Sequence, residues 1–216
     1  MLWLIPVIGL VGKVIYDVVT DEPHETVKPP PQRKTILELN FLRLENLLRK
    51  QSGHKIAILG QPGAGKSSLL KKMTNGQVKP LPVIGTQTDA TDWSKDQSCN
   101  LLSFYEDYVF SDVPGYDTIS HPISAFSSRF PFNFFDVFIF VVHGKLHASD
   151  EEIFHLIKKS GRKVLIAKSF SESLDSDDIG LIENDIRIRL ALSCEVPILY
   201  FSNRTGDGVE SIYNKI

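Results

Sequence analysis

The chain has 216 residues, 42% of them hydrophobic and 23% charged, with a formal net charge of −2. These values suit one globular domain with a short appendage and exclude a dominantly disordered, collagen-like or low-complexity chain. A charge so close to balance carries no basic footprint, so no nucleic-acid partner is expected. The two cysteines, Cys99 and Cys194, cannot build a disulfide framework and are expected as buried free thiols in a reducing compartment.

Residues Leu2 to Val19 are almost wholly apolar, broken by Lys13, Tyr16 and Asp17. The run approaches the roughly 20 residues a spanning helix needs, but it carries two charges and lacks the basic start and small-residue cleavage site of a signal peptide. Three readings stay open: a spanning or interfacial anchor, a hydrophobic helix packed on a partner or a second copy, and a buried first element of the body. In a spanning orientation the following Lys28, Arg33 and Lys34 would leave the body in the cytoplasm, associated with the membrane through this segment. Residues 20–34 read as a linker, stiffened by Pro23, Pro29, Pro30 and Pro31. Thr35 and Glu38 then form a capping-box pattern. Leu37, Phe41, Leu44 and Leu48 follow at helical spacing, so an amphipathic helix is expected over residues 35–53.

From His54 to the end, apolar runs alternate with helical patterns, the signature of a three-layer α/β domain with a mainly parallel sheet. Strands are expected at Lys55–Leu59, from Tyr108 to Phe110, at Asp136–Val142, at Lys163–Ala167 and at Pro197–Phe201. A helix is expected from Ser67 to Met73. Another, capped by Ser149 and Glu152, carries Ile153, Leu156 and Ile157. Ile179, Ile182, Ile186 and Leu190 mark a third, and a short helix ends the chain. Phe126, Phe130, Phe132, Phe134 and Phe135 read as core and helix-packing residues. His143 and His147 fall after the Asp136–Val142 strand, with no carboxylate or cysteine pattern to complete a metal site.

The stretch Gly60-Gln61-Pro62-Gly63-Ala64-Gly65-Lys66-Ser67 fits the phosphate-binding pattern G-x-x-x-x-G-K-[ST], between an expected strand and an expected helix. Glycines let backbone N–H groups curl around a phosphate chain, and the helix N-terminus adds partial positive charge. In that pattern Lys66 reaches the β- and γ-phosphates and the Ser67 hydroxyl ligates Mg²⁺. Ser68 continues the first helical turn. Downstream, Asp112-Val113-Pro114-Gly115 puts a carboxylate at the end of a strand, where it can reach Mg²⁺ through water. Gly115 follows with no side chain to obstruct its N–H.

GQPGAGKSSLL and SDVPG resemble the first and third motifs of P-loop GTPases of the translation-factor-related class. The branch resembled is the Era/TrmE/septin-like one, whose G domain is of the 50S ribosome-binding type. Within it, FFDVFIFVV, VLIAKS and Ser202-Asn203-Arg204 are most similar to immunity-related, interferon-inducible GTPases. The resemblance covers residues 54–216. It implies a G domain that binds GTP and GDP, with Mg²⁺ held by Ser67, Asp112 and a switch threonine, for which Thr88 and Thr91 rank equal and Thr86 also qualifies. It implies catalytic roles for Lys66, Thr88 and Thr91, and nucleotide contacts from residues 60–68, Gly115, Lys168, Ser202 and Asn203. The output it implies is a slow Mg²⁺-dependent hydrolysis of GTP serving a switch or an assembly, with a membrane surface, a homodimer or an effector protein as partner.

Three departures stand out. The family reads guanine with the Asp of [NT]-K-x-D, but here Ala167-Lys168-Ser169-Phe170 keeps the lysine and lacks the acid. Glu172, Asp175, Asp177 and Asp178 follow, as a solvated face, as capping charges, or with one of them as a substitute acid. Tyr116 stands where Ras-like enzymes carry a water-positioning Gln, and Gly63 replaces an Asn of potassium-activated relatives. An ATPase, or a nucleotide-binding assembly module with negligible turnover, is the alternative.

Overall fold

A computed structural model describes residues 33–85 and 91–216. The apolar run Leu2–Val19, the linker up to residue 32, and Thr86 and Thr88 lie outside the described residues. Helix α1 (Ile36–Lys50) opens with the expected capping box: Glu38 N–H donates to Thr35 Oγ1 at 3.2 Å, and Thr35 N–H donates to Glu38 Oε2 at 2.8 Å. It buries Leu37, Phe41, Leu44 and Leu48, the stripe its spacing dictates.

The body is one six-stranded sheet of β1 (His54–Gly60), β2 (Ser103–Tyr105), β3 (Tyr108–Asp112), β4 (Val137–Val142), β5 (Lys163–Lys168) and β6 (Ile198–Tyr200). Their spatial order is β2-β3-β1-β4-β5-β6, parallel except for the antiparallel β2–β3 edge. The central strand β4 is buried on both faces, which is why it reads as an unbroken apolar run. Period-2 alternation divides it. Val137, Ile139 and Val141 face a core shared with α2 (Lys66–Met73) and α6 (Val209–Tyr213). Phe138, Phe140 and Val142 face the other core, shared with α1, α3 (Ile123–Arg129), α4 (Ala148–Lys159) and α5 (Ser176–Arg189).

The phenylalanine-rich segment joins this second core. Phe41 of α1 meets the rings of Phe126, Phe130 and Trp93 edge-on, at centroid distances of 5.1, 5.4 and 6.2 Å. Phe126, Phe130, Phe132 and Phe135 are buried, and Phe134 lies under the Arg49 guanidinium at 4.3 Å.

Three expectations need correction. Helix α4 is capped two residues earlier than Ser149: its N-cap is His147, whose N–H donates to Asp150 Oδ2 at 2.7 Å. Ser149 and Asp150 are instead drawn inward to partners on other elements. Cys194 is exposed, because the loop between α5 and β6 runs over the surface with no layer above it, and Cys99 is half-buried. The edge strand β2 and helix α3 were not legible, being three and seven residues long. No helix among the described residues is long and apolar enough to cross a membrane.

Candidate functional site

The phosphate-loop pattern lies where its chemistry needs it, between the C-terminal end of β1 and the N-terminus of α2. The first backbone bond into this helix runs from Leu69 N–H to Gly65 O at 2.9 Å, which leaves the N–H groups of the first helical turn pointing along the axis toward the phosphate loop. Gly65 takes the left-handed conformation at φ +95°, and a Cβ there would run into the Asn203 side-chain amide. That amide donates to Gly65 O at 3.0 Å, tying the loop after β6 to the phosphate loop. Gly63, at φ +74°, faces open space.

Lys66 is only 4% exposed, and its ammonium donates to Gly60 O at 3.0 Å and Gln61 O at 2.9 Å. It is thus held across the loop its own backbone closes. Ser67 Oγ donates to Asp112 Oδ2 at 2.6 Å, and Thr91 Oγ1 reaches the same oxygen at 3.2 Å. Three residues called from separate motifs therefore meet at one carboxylate. The donor set, two hydroxyls and a carboxylate, is all hard oxygen and fits Mg²⁺. Thr88 lies outside the described residues. No cluster of three His, Cys, Asp or Glu side chains suited to a metal occurs among the described residues.

Gly115 packs directly on the phosphate loop. A Cβ on it would meet the Pro62 backbone nitrogen and lie 2.6 Å from its ring, so only glycine permits this approach. The next residue turns away from the loop. Tyr116 is fully buried, stacked on Phe140 at 6.5 Å, and its hydroxyl donates to Asp150 Oδ1 at 2.6 Å. Burial, followed by the Asp150 charge, pushes its phenol well above the usual tyrosine range. The Gln61 amide donates to Ser149 Oγ at 2.8 Å and to the same Asp150 oxygen at 3.2 Å. Asp150 thus joins the phosphate loop to the residue after Gly115. Its sequence position discloses none of this, since Tyr116 lies 34 residues away and Gln61 lies 89 away.

At the other end of the site, Lys168 ends β5 and is buried, which lowers its ammonium below the usual lysine range. Its carbonyl accepts from Phe201 N–H at 2.9 Å. Ser202 is fully buried, and its Oγ accepts from the N–H groups of Arg204 and Thr205, both at 3.1 Å. A cleft lined by Gly63, Gly65, Lys66, Ser67, Phe170 and Asn203 connects the two ends. Asp175 caps α5, accepting from the N–H groups of Asp177 and Asp178 at 3.0 and 2.8 Å.

Residues 55–169 match the family described as 50S ribosome-binding GTPase. The chain is 25% identical over 181 residues to GTPase Der of Sulfurihydrogenibium sp. strain YO3AOP1, a match covering 75% of this chain and 37% of that protein. It is 28% identical over 177 residues to GTPase Der of Lachnoclostridium phytofermentans, covering 75% and 38%. The chain therefore spans under two fifths of the length of these relatives. Its fold is similar to that of an Aquifex aeolicus Era variant bound to GDP and AlF4−, with a TM-score of 0.57 at 17% identity over 74% of this chain and 55% of that one. It is also similar to Era in complex with MgGDPNP and a 16S ribosomal RNA fragment, with a TM-score of 0.58 at 16% identity over 76% and 56%. With its phosphate loop, strand-end aspartate and sheet order in this arrangement, the chain belongs to the family of 50S ribosome-binding GTPases.

Proposed function

We propose that this chain binds GTP with Mg²⁺ through residues 54–216, acting as its G domain, and hydrolyses it slowly to GDP and phosphate as a switch or an assembly device. The observation that carries this reading is the convergence of Ser67 and Thr91 on Asp112, beside a phosphate loop that holds Lys66 across its mouth. Ser67, Asp112 and Thr91, with Thr88 as the alternative to Thr91, would hold Mg²⁺. Bound there, the ion would supply neutralisation of the charge on the phosphate chain.

The remaining work falls to the chain. Lys66 exchanges its two loop carbonyls for phosphate oxygens and places its charge where negative charge develops. The N–H groups of Gly63 to Ser68 cradle the phosphates, and Gly115 offers its N–H at the terminal one. A threonine carbonyl or hydroxyl of the 86–91 segment orients the attacking water. Tyr116 cannot do so from the core, which supports slow unassisted turnover and stimulation by a homodimer or an effector protein. FFDVFIFVV, VLIAKS and Ser202-Asn203-Arg204 support closeness to immunity-related GTPases, and Leu2–Val19 supports attachment of a cytoplasmic body to a membrane surface.

Titration of the purified chain with labelled GTP and ATP, with and without Mg²⁺, tests the reading. Mg²⁺-dependent GTP binding that vanishes in Lys66→Ala is the expected result. ATP binding as tight as GTP binding would move the assignment to the ATPase alternative, which the Phe170 substitution favours.

A further inference from the structure

The cleft that begins at the phosphate loop runs to Phe170 and Asn203, at the C-terminal ends of β5 and β6. A nucleotide with its phosphates on the loop therefore carries its base to this far corner. Guanine presents two adjacent donors on one edge, the N1–H and the N2 amino group; adenine presents an acceptor nitrogen at N1. A carboxylate is acceptor-only and has two oxygens, so it matches the guanine edge and repels the adenine nitrogen. Position 170, on the cleft wall, holds a phenylalanine, which has no acceptor to give.

The backbone supplies one from two residues further on. Phe170 adopts the left-handed conformation, φ +60°, which β-strand continuation does not allow. The chain reverses there into a single turn, Ser171–Ser173, pinned by Ser171 N–H donating to Phe201 O at 3.2 Å. That reversal carries Glu172 back toward the loop after β6. Its Oε1 lies 3.8 Å from Arg204 Nε. The Ser202 hydroxyl, ahead of the Arg204 charge, holds the carboxyl below the usual glutamate range.

Four other acids of this corner have partners of their own, and Asp177 lies in the first turn of α5. Asp175 and Asp178 cap α5, Glu183 pairs with Arg187 at 2.7 Å, and Asp207 accepts from Thr205 Oγ1 at 2.6 Å. A carboxylate has about four lone-pair sites, and those of Glu172 exceed what Arg204 uses. We infer that Glu172 is the specificity-determining residue of this chain, reading the donor edge of guanine from the turn after β5 while the Phe170 ring lines the cleft beside it.

This inference rests on the GTP reading above, and the test separates the two. Competition binding on the full chain measures GDP, IDP, which lacks the N2 amino group, and ADP for the wild type, Glu172→Ala and Glu172→Gln. The wild type is expected to prefer GDP over both. Glu172→Ala is expected to lose about a hundredfold in GDP affinity, the worth of two charge-assisted hydrogen bonds. ADP affinity should not fall, and the preference for GDP over IDP should disappear. The isosteric Glu172→Gln should lose the same preference with an unchanged melting temperature. If both variants keep the wild-type preference, the inference is overturned and the GTP reading stands. A wild type that binds no nucleotide, or binds GDP and ADP equally, overturns both.

Discussion

Tyr116 donates its hydroxyl to Asp150 at 2.6 Å inside the core, one residue beyond the glycine that touches the phosphate loop. The same carboxylate oxygen accepts from Gln61 of that loop. A residue whose sequence position suggests a role facing the nucleotide is therefore part of the packing that joins the loop after β3 to α4. Tyr116→Phe should cost about 1–3 kcal/mol, because it withdraws a donor from a buried carboxylate. In thermal unfolding that is a drop of several degrees. Turnover at saturating GTP should change little. A large loss of turnover with unchanged stability would show that the hydroxyl leaves the core to act on water.

Removing either side chain at the triphosphate end should separate affinity from folding. Lys66→Ala deletes the ammonium that bridges Gly60 O and Gln61 O, and Ser67→Ala deletes a hydroxyl on Asp112. Both should reduce GTP affinity by at least tenfold, the size of one lost charge-assisted contact. For the wild type, chelation of Mg²⁺ with EDTA should weaken GTP binding more than GDP binding. Isothermal titration with the three proteins gives the readout.

Gly115→Ala should act on the nucleotide state rather than on stability at large. Its new methyl group would meet the backbone nitrogen of Pro62, so the 115 loop must lift off the phosphate loop. The variant should keep GDP binding and lose affinity for a non-hydrolysable GTP analogue. Equal losses for both ligands would show that the contact belongs to the apo fold alone.

Helix α1 reaches the segments on either side of Asp112. The buried Asn40 side chain donates to Trp93 O at 2.7 Å and to Asp96 O at 2.8 Å, and Phe41 meets Trp93, Phe126 and Phe130. Phe41→Ala should destabilise the chain by about 3–5 kcal/mol, as ring removal from a packed core does. Denaturant unfolding measures it. A loss under 1 kcal/mol would mean that α1 frays from the body.

Liposome flotation of the full chain against a form beginning near Thr35 tests the apolar run. Lipid-bound recovery of the full chain alone is expected. Equal recovery of both forms in the soluble fraction would leave packing against a partner as the reading of Leu2–Val19.

Much of the fold was legible because its signals are local. The capping box of Thr35 and Glu38, the stripe from Leu37 to Leu48, and the unbroken apolar run of β4 each follow from the spacing of neighbouring residues. The phosphate loop was legible for the same reason: its glycines, lysine and serine lie within eight consecutive positions. What the tertiary structure alone decided are contacts across long separations, to which local periodicity is blind. The meeting of Thr91 and Asp112, 21 residues apart, is one. The burial of Tyr116 against Asp150, 34 residues apart, is another. The placing of Glu172 is a third. In sequence it is one acid among several; only the left-handed turn at Phe170 and the closure of that turn on Phe201 bring it beside Arg204.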